Sequence, residues 1–435
     1  MAGEERVGGV TGAVATGGAA RPGEPADGAD LRAALAARTG TRAEDWYLTF
    51  KARQAMKVVF DAVAACDAGS ACQLAGASEP ATGGNPAPGE VVTQLYTCCT
   101  AVDPIVAAGL VPVYGDIDAR TCALDPRTLP LTARARVVVL QHTYGILDPK
   151  TDAALRSAAH GAGALLLEDC AHCVGRLSYD AAGQPIADVS VHSFGVEKML
   201  PTHFGGAVWV SPEMPDAALR SDIVRRLEAL PALDARLARA ARRYRNQIRV
   251  LNHLPHGLSH TLRERLAAMG LFEPAIADVE LAGGLASMPQ APDGWVVAGA
   301  AQAVAALDAN EAQRSAAVAA YTKAFAELGT DVVRAPRLLA TDPTSVQPLL
   351  RYPVFLDSAE RADAAVAAVL QAGYYAVAWY RHLLFPGVPD PSAYAWDGSL
   401  EHLPRTRDNA ATVACLPTDV SPEAARRIAQ IVGDA

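Results

Sequence analysis

The sequence has no apolar run that approaches the ~20 residues needed to cross a lipid bilayer. It lacks the charged leader, apolar core and cleavage site that together form a secretory signal peptide. It also lacks net positive charge: the formal charge is -9 at pH 7, whereas proteins that bind nucleic-acid backbones carry a net basic face. These absences argue against a membrane-spanning or nucleic-acid-binding protein and predict a cytoplasmic one.

Aromatic residues are missing from positions 1–29, which consist mostly of Gly, Ala, Thr and Val. Such a segment buries too little apolar surface to offset the entropy lost on ordering, so a disordered tail is predicted. A short amphipathic helix is expected from Leu31 to Ala37, and the folded part should begin near Trp46. The eight cysteines, in a chain without a secretory pattern, indicate reduced thiols.

The overall composition, 51% hydrophobic and 20% charged over 435 residues, is typical of a globular protein with two or three domains. Strands are predicted at residues 91–95, 111–114 and 137–141, and helices at 50–66, 101–108 and 152–162. Because strands alternate with helices, the sheet should be parallel. After Pro212 helices dominate, and residues 309–435 predict a smaller α+β unit that includes a strand near 375–379.

Two apolar runs near the middle of the chain each lead to a chemically active side chain. Residues 164–167 are followed by Glu168 and Asp169, while residues 187–194 include Ser193 and are followed by Lys198. The carboxyl ends of neighbouring strands in an open α/β sheet border the crevice where ligands bind. The two runs therefore predict that an acid and an amine meet in one crevice.

These residue types suit pyridoxal phosphate, whose ring carries an aldehyde on one edge and a nitrogen on the opposite edge. Lys198 would form the covalent link to the aldehyde, and Asp169 would keep the ring nitrogen protonated so that the ring can accept electrons. Ser193 offers a hydroxyl to the phosphate, and His172 is close enough to Asp169 to reach the ring hydroxyl. Taken singly, Asp169 could cap a helix and Lys198 could be a solvated lysine; their order and spacing favour the cofactor site.

The sequence resembles the DegT/DnrJ/StrS-type aminotransferases, fold-type I pyridoxal phosphate enzymes that act mostly on nucleotide-linked keto sugars. The resemblance lies in residues 137–145, Glu168-Asp169-Cys170-Ala171-His172, Ser193-Phe194 with Lys198, Gly205-Gly206, Tyr96-Thr97-Cys98, 109–118, 124–126 and Cys415-Leu416-Pro417, the last compared with the family's closing helix. It covers roughly residue 45 to the C-terminus. It implies an α/β fold with a mostly parallel large-domain sheet flanked by helices and a smaller C-terminal α+β domain.

The resemblance also implies a set of site residues. The predicted cofactor-binding residues are Lys198, Asp169, His172, Ser193, Ala52, Arg53, Gln54 and Cys98, of which Lys198 and Asp169 are also catalytic. Residues 52–54 match loosely a family motif that touches the cofactor phosphate, at a helix start whose free amides can bind an anion. Cys98 falls where the family usually places an aromatic ring, although a thiol can still pack on a ring face. The family's Asn or Arg that reaches the partner subunit's phosphate is absent from residues 281–291.

From this resemblance we expect an aminotransferase that moves an amino group, with glutamate as donor, to a nucleotide-linked keto sugar or a keto cyclitol in amino-sugar or secondary-metabolite biosynthesis. The expected divisions are residues 1–44 as tail and short helix, 45–300 as the pyridoxal-phosphate-binding domain and 301–435 as the small domain. A homodimer with shared active sites is expected, with residues 225–249 and 281–286 at the interface.

Several alternatives remain open from the sequence alone. Cys170, His172 and Cys173 could join Cys98 and Cys99 in a zinc site, but Cys170 and Cys173 are expected to enter a helix, and buried free cysteine is ordinary, so no metal is predicted.

The eight arginines of residues 225–249 could cover a solvated or inter-subunit face, or guide an anionic substrate. Residues 379–382 could line the substrate entrance or pack in the core. A lyase or desulfurase reaction on an amino acid and a non-catalytic protein of the same fold are the rival functions.

Overall fold

The computed structural model describes residues 27–67, 87–329, 333–341 and 346–435. Most of the predicted tail and the predicted loop at 68–89 lie outside the described residues. The predicted N-terminal helix is confirmed as α1 (Ala29–Thr39). It buries Leu31 and Leu35 in the main core, so this helix packs as part of the folded body rather than as an appendage.

Within the described residues, the larger sheet has seven strands: β1 (Trp46–Thr49), β2 (Glu90–Thr93), β3 (Val111–Tyr114), β4 (Ala135–Gln141), β5 (Leu165–Cys170), β6 (Val189–Ser193) and β7 (Gly206–Val210). Their order is β1-β7-β6-β5-β4-β2-β3. Strands β2 to β6 pair in parallel, while β7 is antiparallel to β6 and β1 is antiparallel to β7. Every residue of β5 and β6 is buried, as is usual for strands covered on both faces. The predicted mostly parallel sheet is confirmed.

Helices α2 (Ala52–Asp67), α3 (Cys99–Ala107), α4 (Pro149–Gly161) and α5 (Ala217–Glu228) pack against this sheet. They are followed along the chain by α6 (Ala235–Leu251), α7 (His256–Ala268), α8 (Gly294–Ala305) and α9 (Leu307–Leu328). Helix α2 is amphipathic, and its apolar face, including Val59, Phe60 and Val63, is fully buried in the core beneath β6 and β7. This packing fixes the start of α2 beside the sheet edge where the parallel strands end.

The C-terminal part contains β8 (Val333–Arg334), α10 (Arg337–Thr341), β9 (Arg351–Leu356), α11 (Ala359–Gln371), α12 (Pro404–Thr412), β10 (Val413–Pro417) and α13 (Pro422–Asp434). Its described strands form an antiparallel sheet in the order β10-β9-β8. The prediction of a helix at Cys415-Leu416-Pro417 is wrong: these apolar residues are buried in β10 and pair with β9, and the last helix starts only after Ser421. The strand predicted at 375–379 is reduced to one bridge between Val377 and Cys415.

The predicted division at residue 300 falls inside α8 and stays a prediction. In the described ranges, no helix combines the length and the apolar character that a membrane crossing requires.

The cysteine prediction is confirmed in part. The free thiols of the described residues are Cys98, Cys99, Cys122, Cys170, Cys173 and Cys415. Cys66 is disulfide-bonded, so the prediction of reduced thiols is wrong there. Cys66 lies at the partly exposed end of α2, where a thiol can meet another one, whereas five of the six free thiols are buried.

Candidate active site

Polar side chains gather where three parallel strands end. Gln141 closes β4, Asp169 is the penultimate residue of β5 and pairs in register with Gln141, and Ser193 closes β6. All three line one cavity of about 780 Å³, together with Lys198. The sequence therefore placed the acid, the serine and the amine correctly in one crevice.

Lys198 lies five residues after Ser193, in the irregular segment that connects β6 to β7. Burial lowers the pKa of its ammonium group, while the negative charges of Cys98, Asp169 and Glu197 partly oppose this effect. A lysine with a depressed pKa has more neutral amine available as a nucleophile near pH 7. This is the electrostatic state that attack on an aldehyde requires.

Asp169 is buried at the floor of the cavity, and its Oδ1 accepts a hydrogen bond from the backbone N–H of Ala171 at 2.9 Å. Burial raises the pKa of this carboxyl, while the Ala171 N–H and the Lys198 charge act in the opposite direction. The segment after Asp169 forms a turn, closed by a bond from Cys173 N–H to Cys170 C=O, so the predicted helix at Cys170 and Cys173 is wrong. The Asp169 side chain accepts from the Ala171 N–H, the first amide of this turn. The acid therefore caps a turn and not a helix.

An anion cradle surrounds Ser193. Its Oγ accepts a hydrogen bond from Gly195 N–H at 3.2 Å, which leaves the hydroxyl proton available for donation. Ser193 pairs in register with Gly206 of β7. A Cβ at Gly206 would lie 2.6 Å from the backbone nitrogen of Ala52, so only glycine allows α2 to start this close to Ser193. First-turn amides at the start of a helix and a hydroxyl together make a phosphate-sized binding site.

The cations at this end of the cavity have acidic partners. The ammonium group of Lys51 pairs with Glu273, and the guanidinium group of Arg53 pairs with Glu280 at 2.6 Å. Gln54 does not line the cavity: its side chain donates to Ser287 Oγ and to the carbonyl of Met288. Of the three predicted residues, Ala52 and Arg53 therefore line the cavity, whereas Gln54 does not.

Aromatic rings from the C-terminal part close the side of the cavity next to His172. The backbone N–H of Tyr144 donates to His172 Nδ1 at 3.0 Å, which assigns the ring proton to Nε2, 3.2 Å from the hydroxyl of Tyr380. Burial holds the pKa of His172 well below its ordinary value, with the charges of Lys198 and Arg351 adding to the effect. Both ring nitrogens have partners within the protein, so His172 presents a neutral ring face, stacked with Trp379 and Tyr380.

Cys98 lines the cavity at the position before α3 begins. The hydroxyl of Thr100 donates to its Sγ at 3.1 Å. A hydrogen bond from Cys99 is the largest cause that lowers the pKa of this thiol; burial opposes it, and Thr100 and the nearby charges of Lys198 and Arg53 add to the lowering. Cys98 therefore presents a polarisable sulfur with thiolate character at the position where the family usually has an aromatic ring.

Sequence reasoning missed Gln141, Glu197 and Lys51, all of which line the cavity. Gln141 could have been found by the rule that identified Asp169, because it ends the neighbouring strand. No sequence signal indicated Lys51 or Glu197. Of residues 379–382, for which the sequence left an entrance role and a core role open, Trp379 and Tyr380 line the cavity.

A further wall comes from α6, α7 and the segment that follows them. It includes Tyr244, Arg263, Phe272 and Ile276. Of these residues only Tyr244 lies within the arginine-rich stretch 225–249, and none of the eight arginines of that stretch lines the cavity.

The zinc grouping of Cys98, Cys99, Cys170, His172 and Cys173, which was considered as an alternative and not predicted, does not assemble in the described residues. A different group, His142, Glu168 and Cys170, brings potential ligand atoms within 4.8 Å of one another, and all three side chains are buried. One Glu168 oxygen accepts from His142 Nε2 and from Ser178 N–H, each at 2.7 Å, and the other accepts from Ser190. Hydrogen bonds therefore already occupy both carboxylate oxygens.

Residues 48–273, just over half of the chain, match the DegT/DnrJ/EryC1/StrS aminotransferase family, and the chain belongs to that family. It is 34% identical over 129 residues to the spore coat polysaccharide biosynthesis protein SpsC of Bacillus subtilis, covering 29% of this chain and 33% of the relative. It is 30% identical over 145 residues to an L-glutamine:2-deoxy-scyllo-inosose aminotransferase of Streptoalloteichus tenebrarius, covering 33% and 32%. The matches thus span about a third of each relative.

The fold is shared over a much longer stretch. The crystal structure of NtdA from Bacillus subtilis, described with bound cofactor PMP, superposes with a TM-score of 0.62 at 15% identity and covers 95% of this chain and 79% of that one. This similarity confirms the predicted fold class.

Enzymes of this family use pyridoxal phosphate, and the cavity has the features such a group needs. The Ser193 hydroxyl and the start of α2 form an anion cradle that a Cβ at Gly206 would fill. Asp169 is a buried carboxylate with one oxygen committed to a backbone amide, and Lys198 is an amine with a depressed pKa. The hydroxyl and amides, the carboxylate and the amine are the kinds of group that the phosphate, the ring nitrogen and the aldehyde respectively need.

Proposed function

We propose that the protein is a pyridoxal-phosphate-dependent aminotransferase that transfers an amino group from glutamate or a similar donor to a keto sugar or keto cyclitol. The observation that carries the proposal is the shared cavity of Asp169, Ser193 and Lys198 at the ends of parallel strands. Bound pyridoxal phosphate supplies an aldehyde for amine exchange and a ring that accepts electrons from the adjoining carbon.

Each residue has one task in this proposal. Ser193 and the first-turn amides of α2 would bind the phosphate. Asp169 would hold a proton on the ring nitrogen, because a carboxylate at that position stabilises the cationic form. The rings of His172 and Tyr380 exclude water from one side of the site.

Lys198 has two tasks, which follow in sequence. With pyridoxal phosphate bound, its neutral amine would hold the group covalently through the aldehyde. Once a substrate amine had displaced it, the freed amine of Lys198 would serve as the base and acid that moves a proton in the cavity. Because the amine would stay in the cavity, this proton transfer would be effectively intramolecular, which is a large rate advantage over a base in solution.

A spectrum of the purified protein with added pyridoxal phosphate, recorded before and after L-glutamate, tests the proposal. Loss of the visible band together with formation of 2-oxoglutarate in stoichiometric amount is expected. Ammonia or sulfide release in place of an oxo acid would favour a lyase or desulfurase. No visible band and no turnover would indicate a non-catalytic protein of the same fold.

We further propose a cytoplasmic homodimer. Its support is the exposed face of α6, which carries Arg239, Arg243 and Arg249 and adjoins the exposed apolar residues Val250 and Leu258. Arginine tolerates partial burial when paired, and apolar residues at a surface commonly mark an interface. Light scattering at micromolar concentration is expected to give twice the chain mass of 45.3 kDa; the mass of a single chain would contradict the proposal.

A further inference from the structure

Glu197, the residue directly before Lys198, has an unusual environment in the cavity. Its φ is 57°, in the left-handed region that a residue with a side chain seldom adopts, and such backbone strain concentrates at functional sites. Its Oε1 accepts a hydrogen bond from the hydroxyl of Tyr375 at 2.7 Å. In the described part of the chain, the second carboxylate oxygen has no hydrogen-bond partner. One oxygen is thus anchored while the other is available to a ligand.

Tyr375 is itself held in place. The guanidinium carbon of Arg351 lies 4.8 Å from the centroid of the Tyr375 ring and 5.6 Å from that of the Trp379 ring. A cation over two ring faces stabilises both rings, so the hydroxyl that holds Glu197 comes from a rigid wall. The carboxylate therefore has a defined position relative to the neighbouring Lys198.

The other cationic side chains around the cavity are already paired. Lys51 bonds to Glu273, Arg53 to Glu280, and Arg263 donates to Asn252 at 2.6 Å. An anionic group on a substrate would have to compete with Glu273 for Lys51, with Glu280 for Arg53 or with the Asn252 amide for Arg263, and it would also lie near the Glu197 carboxylate. A hydroxyl or ammonium group meets no such cost, because it can donate directly to the available oxygen of Glu197.

We propose that Glu197 binds the amino acceptor, accepting a hydrogen bond from its hydroxyl or ammonium group, and that it selects uncharged or cationic polyols over anionic acceptors such as sugar nucleotides. This inference rests on the proposed aminotransferase function and narrows it to the cyclitol type of acceptor. Hydrogen bonds from charged donors to carboxylates are the strong ones, so the contact should distinguish ligands clearly.

Calorimetric titration of the enzyme loaded with pyridoxal phosphate tests the proposal with two probes, 2-deoxystreptamine as a cationic aminocyclitol and dTDP as an anion. The parent should bind 2-deoxystreptamine more tightly than dTDP. Glu197→Gln should weaken 2-deoxystreptamine binding about 10- to 100-fold, the range expected for a hydrogen bond to a charged group, while dTDP binding stays equal or improves. Glu264→Gln is the matched control, because Glu264 lines the same cavity but is 61% exposed and pairs with His260.

Glu197→Gly provides a second variant, since glycine adopts the φ of 57° without strain and folding should be preserved. It should lose 2-deoxystreptamine affinity to the same extent as Glu197→Gln. Unchanged 2-deoxystreptamine binding in both variants, or tighter binding of dTDP by the parent, would overturn the proposal. The response of the parent spectrum to glutamate is measured separately, so failure of the aminotransferase function and failure of the Glu197 assignment give different results.

Discussion

Ser193 and Gly206 face each other across β6 and β7, and the missing side chain of Gly206 is what lets the start of α2 approach Ser193. A Cβ there would lie 2.6 Å from the nitrogen of Ala52 and 2.6 Å from Oγ1 of Thr49. The Thr49 hydroxyl donates to the Lys51 carbonyl, so it cannot turn aside without losing that bond. The anion cradle therefore depends on one glycine.

Gly206→Ala should push α2 away from Ser193 and weaken binding of pyridoxal phosphate at least tenfold, with a stability loss of about 1–3 kcal/mol from overpacking. Fluorescence titration and denaturant unfolding measure the two effects. Gly161→Ala is the control, because no atom lies within 4 Å of the added Cβ at that position. Equal cofactor affinity in Gly206→Ala and the parent would mean that the phosphate binds elsewhere.

Asp169→Asn should retain the cofactor but slow the reaction with glutamate by orders of magnitude. The amide has nearly the shape of the carboxylate and can keep the bond from Ala171, but it cannot stabilise a proton on the ring nitrogen. Stopped-flow absorbance after mixing with glutamate measures this step. A rate equal to that of the parent would reduce Asp169 to a turn-capping residue.

The capture of added pyridoxal phosphate should depend on pH through Lys198. Because burial lowers the pKa of this amine, its neutral form predominates at a lower pH than that of a free lysine, whose pKa is 10.5. The rate of capture should therefore rise with pH and level off below pH 10.5. A rate that still increases above that pH would contradict the lowered pKa.

Glu168→Gln should destabilise the fold, although Glu168 does not line the cavity. The carboxylate accepts hydrogen bonds from His142, Ser178 and Ser190 in a buried setting, and breaking one partner of a buried charged pair typically costs about 3–5 kcal/mol. Urea unfolding of the cofactor-free protein measures the loss. A change below about 0.5 kcal/mol, the size expected at an ordinary surface position, would show that the cluster is dispensable.

The sequence was sufficient to predict the parallel strands and the centre of the site, but not the antiparallel strands β1 and β7. Strand ends are recognisable because apolar runs stop at polar residues, and this rule located Asp169 and Ser193, with Lys198 five residues on. Residues supplied by distant segments were harder to predict. Glu273 meets Lys51, and Tyr375 meets Glu197, across more than 170 positions of sequence, which no local pattern reports.

Two local patterns were also misleading, for physical reasons. Cys415-Leu416-Pro417 was assigned to a helix through its resemblance to the family's closing helix, but these residues pair with β9 and the proline ends the strand. After Asp169 a helix was expected because an acid often caps one. Here the same side chain caps a turn. The backbone stays non-helical beyond it, and Gly175 has a φ of 74°.

The central claim is that Lys198 is the amine that carries the cofactor. Borohydride reduction of the protein loaded with pyridoxal phosphate, followed by peptide mapping, tests it directly. Lys51 is an internal control, since it lines the same cavity and burial lowers its pKa too. The label is expected on Lys198 alone and should disappear in Lys198→Ala together with transamination; a label on Lys51, or one that survives in Lys198→Ala, would contradict the account.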